Sequence, residues 1–244
     1  MTELASVSAV VLVGGLGTRM RVVSGDLPKP MLPVAGRPFL EHLLRFIRRA
    51  GVRRVILATG YRAEAVRRHF GDGSIVGLEL LYSPEDEPLG TGGALRLACE
   101  KTERWPVLAL NGDSFFAVSL ASLLTAHGLA RAKLTMALVE VADTGRFGRV
   151  RTSPGGNILG FEEKSGSGPG LVNAGVYVLE KQVLAAIGPG PCSFERDALP
   201  RLLGDRTLGV PTPGLFVDIG LPDDYQRLVA APEEFLGATS EGCC

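Results

Sequence analysis

Apolar runs alternate with helix-like segments along the first half of the chain. Four near-continuous apolar runs predict buried strands at Val7–Val13, Arg53–Thr59, Leu78–Tyr82 and Pro106–Leu110. Apolar residues at helical spacing predict helices between these strands, at 38–51, Ala63–Phe70 and Gly92–Lys101. This order of strands and helices is typical of a parallel sheet with both faces covered by helices.

The second half is richer in strand-like segments. After a predicted helix at Leu120–Ala130, four runs predict strands at Leu134–Val141, Gly148–Thr152, Ile158–Glu163 and Val172–Leu179. Further helices are predicted at Gln182–Ile187, Glu195–Leu203 and Pro222–Val229, and short strands at Thr207–Val210 and Leu215–Asp218. We therefore predict an α/β domain over residues 1–232, with halves at about 7–118 and 119–232, and a flexible tail over 233–244.

Composition and charge exclude several classes of protein. The 244 residues carry 26 Lys and Arg against 26 Asp and Glu, so the formal net charge is zero. The chain shows no basic stripe for nucleic acid and no polybasic helix for a membrane surface. No apolar run reaches the ~18 residues of a membrane-spanning helix, and the N-terminal residues lack the basic segment of a secretory signal. We therefore expect a cytoplasmic protein without nucleic-acid or membrane partners.

A glycine-rich turn, GGLGTR at residues 14–19, follows the first predicted strand. Glycines allow backbone N–H groups to approach an anion closely. Arg19 and Lys29 add positive charge, so the stretch predicts a polyphosphate site. It is not a Walker loop, because Gly17 is followed by Thr18 and Arg19. It is not a dinucleotide fingerprint either, because Met20 stands where a third glycine is needed.

Two aspartates each end an apolar strand. Asp113 closes the turn Asn111-Gly112-Asp113, and Asp218 lies in the sequence FVDIG. Strand ends at the carboxyl edge of a parallel sheet meet where ligands bind. Mg²⁺ takes few protein carboxylates together with phosphate oxygens and water, so we predict that Asp113 and Asp218 bind one Mg²⁺. The alternative is that each aspartate caps a helix or a turn.

These motifs resemble the signature of the sugar-1-phosphate nucleotidylyltransferases, GG-x-GTR followed by PKP-x-x-P. The resemblance runs from Val7 to Val229 with the elements in the family order. Within the family, the sequences PKPM-x-PV-x-G-x-PF and YS-x-EDEPLGTGGA look most like the D-glycero-D-manno-heptose 1-phosphate guanylyltransferases. The resemblance implies a single Rossmann-like domain, with a mixed, mostly parallel central sheet and a smaller β-rich sugar-binding half.

The resemblance also implies a reaction and a set of catalytic residues. A sugar 1-phosphate attacks the α-phosphorus of a nucleoside triphosphate in line and releases pyrophosphate, with Mg²⁺ as the cofactor. Catalysis then depends on positioning and charge neutralisation rather than on a covalent intermediate. The implied catalytic residues are Arg19 for pyrophosphate, Lys29 near the reaction centre, Lys164 for the sugar phosphate, and Asp113 and Asp218 for the metal.

Substrate-binding residues are implied in both halves. The first half has Leu12, Gly14, Gly15, Gly17, Thr18, Glu87, Leu89, Gly90, Thr91, Gly92, Asn111 and Gly112. The second half has Gly148, Glu163 and Asn173 around the sugar. Phe147 stands where the family has tyrosine, which removes one hydroxyl from the expected sugar site.

The identity of the substrates stays open at this point. GTP and a heptose or mannose 1-phosphate are favoured, but UTP, dTTP, ATP or CTP and a hexose or cyclitol phosphate are alternatives. A catalytically silent nucleotide-sugar sensor is disfavoured because the charged catalytic set is complete. An NAD-dependent oxidoreductase is disfavoured by the missing third glycine. The oligomeric state is open, with a homo-oligomer among the alternatives.

Overall fold

The computed structural model of the protein describes residues 3–15, 20–25, 27–162, 168–204 and 206–240. Its strands are β1 (Ser8–Leu12), β2 (Pro33–Val34), β3 (Arg37–Pro38), β4 (Arg54–Thr59), β5 (Glu79–Pro84), β6 (Val107–Asn111), β7 (Ser114–Phe116), β8 (Leu134–Val141), β9 (Arg149–Thr152), β10 (Ile158–Glu162), β11 (Gly170–Leu179), β12 (Thr207–Pro211) and β13 (Phe216–Asp218). Its α-helices are α1 (Arg21–Ser24), α2 (Phe39–Arg49), α3 (Ala63–Phe70), α4 (Gly90–Cys99), α5 (Leu120–Leu129), α6 (Leu199–Leu202), α7 (Pro222–Ala230) and α8 (Glu233–Ser240).

The centre of the molecule is a seven-stranded sheet in the order β12-β8-β11-β6-β1-β4-β5. β1 is parallel to β4 and β6, β4 is parallel to β5, and β8 is parallel to β12. β11 is antiparallel to both of its neighbours, β6 and β8. The predicted mixed, mostly parallel α/β sheet is therefore confirmed. Since β6 and β11 come from different halves of the chain, one sheet continues across both halves.

Two hydrophobic clusters lie on opposite faces of this sheet. Successive side chains of a strand point to opposite faces, so Val11 belongs to one cluster and Val10 to the other. Leu43 of α2 packs in the first cluster, and Leu95 of α4 packs in the second. Burial on both faces accounts for the near-continuous apolar strands. No helix among the described residues is long and apolar enough to cross a membrane.

Helix geometry differs from the prediction in two segments of the second half. The predicted helix at Gln182–Ile187 is a 3₁₀ helix at Lys181–Ala185. The predicted helix at Glu195–Leu203 is a π-helix at Phe194–Ala198 followed by the short α6. Pro200 has no backbone N–H to donate to the preceding turn, so a regular α-helical hydrogen-bond pattern cannot continue through it.

The end of the chain also differs from its prediction. The sequence predicts a flexible tail over 233–244, but Glu233–Ser240 form α8. Phe235 is buried, and its ring stacks on Phe39 of α2 with a centroid distance of 5.5 Å and packs edge-on against Phe115 at 5.2 Å. Eight residues with one large aromatic anchor are too short a pattern to predict this packing. Residues 241–244, which include Cys243 and Cys244, lie outside the described residues.

Candidate active site

The carboxyl ends of β1 and β6 lie side by side and bring two predicted motifs together. Leu12 is paired with Asn111, and the backbone N–H of Gly112 donates to the carbonyl of Leu12 at 2.9 Å. A Cβ atom at Gly112 would lie 2.6 Å from that carbonyl oxygen, so only glycine fits. The close approach of the two strand ends places Asp113 beside the glycine-rich turn.

A cavity of about 400 Å³ opens at this edge of the sheet. Many of its lining residues are ones that the sequence predicts to bind substrate. It is lined by Leu12, Val13, Gly14, Gly15, Lys29, Pro30, Glu85, Pro88, Gly90, Thr91, Ala94, Asn111 and Asp113.

A second cavity, of about 650 Å³, adjoins the first. It is lined by Met20, Lys29, Asn111, Asp113, Ser114, Arg146, Phe147, Asn173, Gly175, Glu195, Phe216, Asp218, Gly220 and Leu221. Lys29, Asn111 and Asp113 line both cavities. The two cavities therefore meet at a lysine, a carboxylate and an amide. The Oδ1 atom of Asn111 is buried there and has no hydrogen-bond partner among the residues that the structure describes.

The charged centre is formed by Lys29, Asp113 and Asp218. Lys29 Nζ donates to Asp113 Oδ2 at 2.6 Å, and the lysine side chain is only 11% exposed. Strand β13 pairs with β7 and places Asp218 opposite Ser114, next to Asp113. Burial and then the negative charge of Asp113 raise the pKa of Asp218, while Lys29 and other partners partly offset the rise. The two predicted carboxylates are thus close enough to repel each other.

Arg146 is a charged residue of the second cavity that the sequence did not single out. Its Nη2 atom lies 2.5 Å from Asp224 Oδ2 and 3.7 Å from Asp218 Oδ1. Its guanidinium also lies 5.1 Å from the centroid of the Phe147 ring. The residue follows a Thr-Gly turn, far in sequence from both aspartates, so no local pattern indicated the contact.

Glu85 is a second residue that sequence reasoning missed. Its Oε2 atom accepts a hydrogen bond from the backbone N–H of Leu89 at 2.7 Å, and burial raises its pKa. A Cβ atom at Gly14 would lie 2.6 Å from Glu85 Oε1, so Glu85 sits directly against the glycine-rich turn. Glu87, which the sequence predicts to bind substrate, is exposed. The run Glu85-Asp86-Glu87 holds three carboxylates, and only the strand end of β5 decides which one turns inward.

The glycines at the start of α4 have different surroundings. Gly90 lines the first cavity with a φ of +69°, whereas Gly92 donates its N–H to the carbonyl of Cys192 at 2.8 Å. A Cβ atom at Gly92 would lie 3.0 Å from both the oxygen and the sulfur of Cys192. Gly92 therefore packs α4 against the loop that precedes the π-helix, and it does not appear among the cavity-lining residues.

The predicted sugar-site residues of the second half lie at irregular points of the backbone. Asn173 is next to a bulge in β11, where Nδ2 donates to Tyr177 Oη at 2.6 Å and Oδ1 accepts from Gly175 N at 2.9 Å. Gly148 has a φ of +80° and donates its N–H to the carbonyl of Thr144 at 3.0 Å. Asn173 lines the second cavity, and Phe147 lines it beside Gly148.

Five predicted site residues lie outside the described residues: Gly17, Thr18, Arg19, Glu163 and Lys164. Their roles stay predictions.

In the part of the chain that the structure describes, no group of three or more His, Cys, Asp and Glu side chains is placed to bind a metal ion. Asp113 and Asp218 lie close enough to interact electrostatically, and their role as metal ligands stays a prediction.

Comparison with known proteins agrees with this arrangement. A family model described as nucleotidyl transferase matches residues 8–233, and the chain belongs to that family. The predicted class of enzyme, a nucleotidyltransferase, is thereby confirmed.

Individual relatives of known name resemble the chain over most of its length. The chain is 38% identical over 221 residues to D-glycero-alpha-D-manno-heptose 1-phosphate guanylyltransferase of Aneurinibacillus thermoaerophilus, covering 90% of this chain and 95% of that protein. It is 42% identical over 226 residues to mannose-1-phosphate guanylyltransferase of Mycobacterium tuberculosis, covering 91% of this chain but only 63% of that protein. The predicted resemblance to the heptose 1-phosphate guanylyltransferases is confirmed.

A solved structure shows the same fold. HddC from Yersinia pseudotuberculosis, which has also been solved in complex with GMP-PN, matches with a TM-score of 0.83 and 33% sequence identity. The match covers 92% of this chain and 98% of HddC.

Proposed function

We propose that this protein transfers the guanylyl group of GTP to a heptose or mannose 1-phosphate and releases pyrophosphate. The observation that carries the proposal is the pair of cavities that meet at Lys29 and Asp113. One cavity is lined by backbone turns suited to a nucleotide, and the other by polar and aromatic side chains suited to a sugar. The choice of GTP and of a manno-configured sugar rests on relatives at 36–42% identity whose names state those activities.

In the proposed reaction, a phosphate oxygen of the sugar 1-phosphate forms a bond to the α-phosphorus. The bond from that phosphorus to the oxygen bridging to the β-phosphate breaks, and pyrophosphate leaves. The sugar phosphate is already ionised at neutral pH, so the attack requires no general base. The α-phosphorus would lie where the two cavities meet, with the nucleotide on one side and the sugar on the other. The enzyme then contributes mainly by holding both reactants in line.

Lys29 lines both cavities, and we propose it as the cation of the reaction centre. Its hydrogen bond to Asp113 and its low exposure hold the ammonium in one position before substrate arrives. A preorganised charge stabilises the charge that develops in the transition state without a further cost of reorganisation. Arg19 and Lys164 are proposed to act on the pyrophosphate and the sugar phosphate, as the sequence predicts.

Asp113 and Asp218 fit a site for Mg²⁺. Their oxygen atoms are the hard ligands that this ion prefers, and burial beside Asp113 disfavours the ionised form of Asp218 unless positive charge is close. When bound, Mg²⁺ would reduce the charge repulsion between the phosphates. Asp113 and Asp218 would hold the ion, and Lys29 would keep the Asp113 carboxylate oriented.

The test is pyrophosphate release with Mg²⁺, measured for GTP, UTP, dTTP, ATP and CTP against heptose, mannose, glucose and N-acetylglucosamine 1-phosphates. Release with GTP and a heptose or mannose 1-phosphate alone is the expected result. Release with a different pair would replace the substrate assignment and keep the reaction type. Folded protein that binds GTP but gives no release with any acceptor would contradict the enzymatic proposal and favour a sensor.

A further inference from the structure

Glu195 lines the larger cavity, and no cationic side chain of the described residues forms an ion pair with it. Its Oε2 atom accepts a hydrogen bond from Thr91 Oγ1 at 2.7 Å and a longer one from Ser193 Oγ at 3.4 Å. Both donors are neutral hydroxyls, and none of the ion pairs found among the described residues includes Glu195. The second oxygen, Oε1, has no hydrogen-bond partner within the described ranges. A half-buried carboxylate therefore keeps one acceptor atom free at the cavity wall.

Thr91 connects this carboxylate to the other cavity. Thr91 lines the smaller cavity at the start of α4, and its Oγ1 atom accepts a hydrogen bond from the backbone N–H of Phe194 at 2.8 Å. The N–H of Phe194 occupies one lone pair of Thr91 Oγ1, and the hydroxyl proton of Thr91 is directed at Glu195. The orientation of Glu195 is thus set by Thr91, a residue of α4 that lines the smaller cavity.

The neighbouring polar residue of the wall is already engaged. Asn173 uses Nδ2 on Tyr177 Oη and Oδ1 on the backbone of Gly175, so both of its polar atoms have internal partners. Tyr177 is completely buried, and burial together with the negative charge of Glu195 raises its pKa. Asn173 and Glu195 therefore line the same cavity, and of these two side chains Glu195 has the free acceptor atom.

We propose that Glu195 accepts a hydrogen bond from a ring hydroxyl of the sugar and so helps to determine which sugar phosphate is used, and that Thr91 is a positioning residue for it. This inference rests on the proposed function. A carboxylate without a cation attracts hydroxyl donors and repels phosphate. Its ligand is therefore the hydroxyl face of the sugar, rather than the sugar phosphate or the triphosphate.

The test removes the Glu195 carboxylate and single hydroxyls of the sugar phosphate, first separately and then together. Pyrophosphate release from GTP is measured for the wild type, Glu195→Gln and Glu195→Ala, with mannose 1-phosphate or heptose 1-phosphate, whichever the wild type uses, and with its monodeoxy analogues. The wild type should lose roughly 10- to 100-fold in kcat/KM with one analogue, the scale of a charge-assisted hydrogen bond. Glu195→Ala should lose a similar factor with the parent sugar and show no further loss with that analogue. The KM for the sugar phosphate should rise while the KM for GTP stays within about 3-fold.

Controls separate this role from a general loss of structure. Glu100→Gln removes an exposed carboxylate at the far end of α4 and should leave the kinetics unchanged. Glu195→Gln keeps the shape of the side chain, so an effect seen there as well does not depend on a packing defect. Thr91→Val removes the hydroxyl at nearly constant volume and should raise the KM for the sugar phosphate, whereas Thr91→Ser should restore most of that loss.

The outcomes that overturn the inference are distinct from failure of the proposed function. If the wild type is active but Glu195→Ala keeps the full penalty with every deoxy analogue, Glu195 does not contact a sugar hydroxyl. If Thr91→Val raises only the KM for GTP, Thr91 does not position Glu195. If the wild type releases no pyrophosphate from GTP with any acceptor, the proposed function fails, and the Glu195 inference is rejected with it.

Discussion

The two cavities of this molecule are built in different ways. The smaller one is formed at the carboxyl ends of neighbouring parallel strands, and much of its surface comes from short turns that follow β1 and β5. The larger one is formed by side chains from β11, β13, the π-helix and the segment before β9, which are far apart in sequence. Local sequence thus determines the first cavity much more than the second.

The largest effect is expected for Asp113, one of the three residues that line both cavities. Asp113→Asn removes the negative charge of the candidate metal site and should lower Mg²⁺-dependent turnover by roughly 10³-fold or more, the upper scale for one preorganised electrostatic group. The measurement is pyrophosphate release across a Mg²⁺ titration, with circular dichroism to confirm folding. Loss of the folded state in this variant would show that Asp113 has a structural role instead.

The second-largest effect is expected on stability, when the contact between α8 and α2 is removed. Phe235→Ala removes a ring that is stacked on Phe39 and should lower the free energy of unfolding by about 3–5 kcal/mol, the usual range for a large buried aromatic. Denaturant unfolding measures this. An unchanged midpoint would mean that α8 contributes nothing to the stability of the domain and would support the tail predicted from the sequence. Val22→Ala, at an exposed position, is the control.

Lys29→Ala should lower kcat by roughly 10²-fold, because the ammonium at the meeting point of the cavities is lost. Lys29→Arg keeps the charge but changes its geometry, so an intermediate rate is expected. Single-turnover kinetics at saturating GTP separates this effect from weaker binding. Near-full activity of Lys29→Ala would exclude the residue from the reaction centre.

The smallest expected effect is on the free energy of unfolding when either of two glycines at the edge of the smaller cavity is replaced by alanine. Gly112→Ala would place a Cβ atom 2.6 Å from the Leu12 carbonyl oxygen and should lower the free energy of unfolding by about 1–3 kcal/mol. At Gly15 a Cβ atom would have no neighbour within 4 Å in the described part of the chain, so Gly15→Ala should change the free energy of unfolding by no more than about 0.5 kcal/mol. Equal stability of the two variants would contradict the close approach of β1 and β6.

Much of the smaller cavity could be predicted because its residues follow strand ends in local motifs. Lys29 and Asp113 were both predicted as site residues, and they lie 2.6 Å apart. Glu85 was missed, since three carboxylates in one turn look alike in sequence. In the larger cavity, Asn173 was predicted, but Arg146 and Glu195 were not, because their partners Asp218 and Thr91 are brought near only by folding.

The sequence by itself determined the family, the order of strands and helices, and the motifs at the carboxyl edge of the sheet. These features depend on short-range patterns: apolar periodicity, glycine in turns and charged residues after strands. The tertiary structure alone decided that α8 packs on α2, that Gly92 faces Cys192 rather than a cavity, and that Thr91 reaches Glu195. The physical reason is that hydrogen bonds and packing join residues about a hundred or more positions apart, as Thr91 and Glu195 are at a separation of 104.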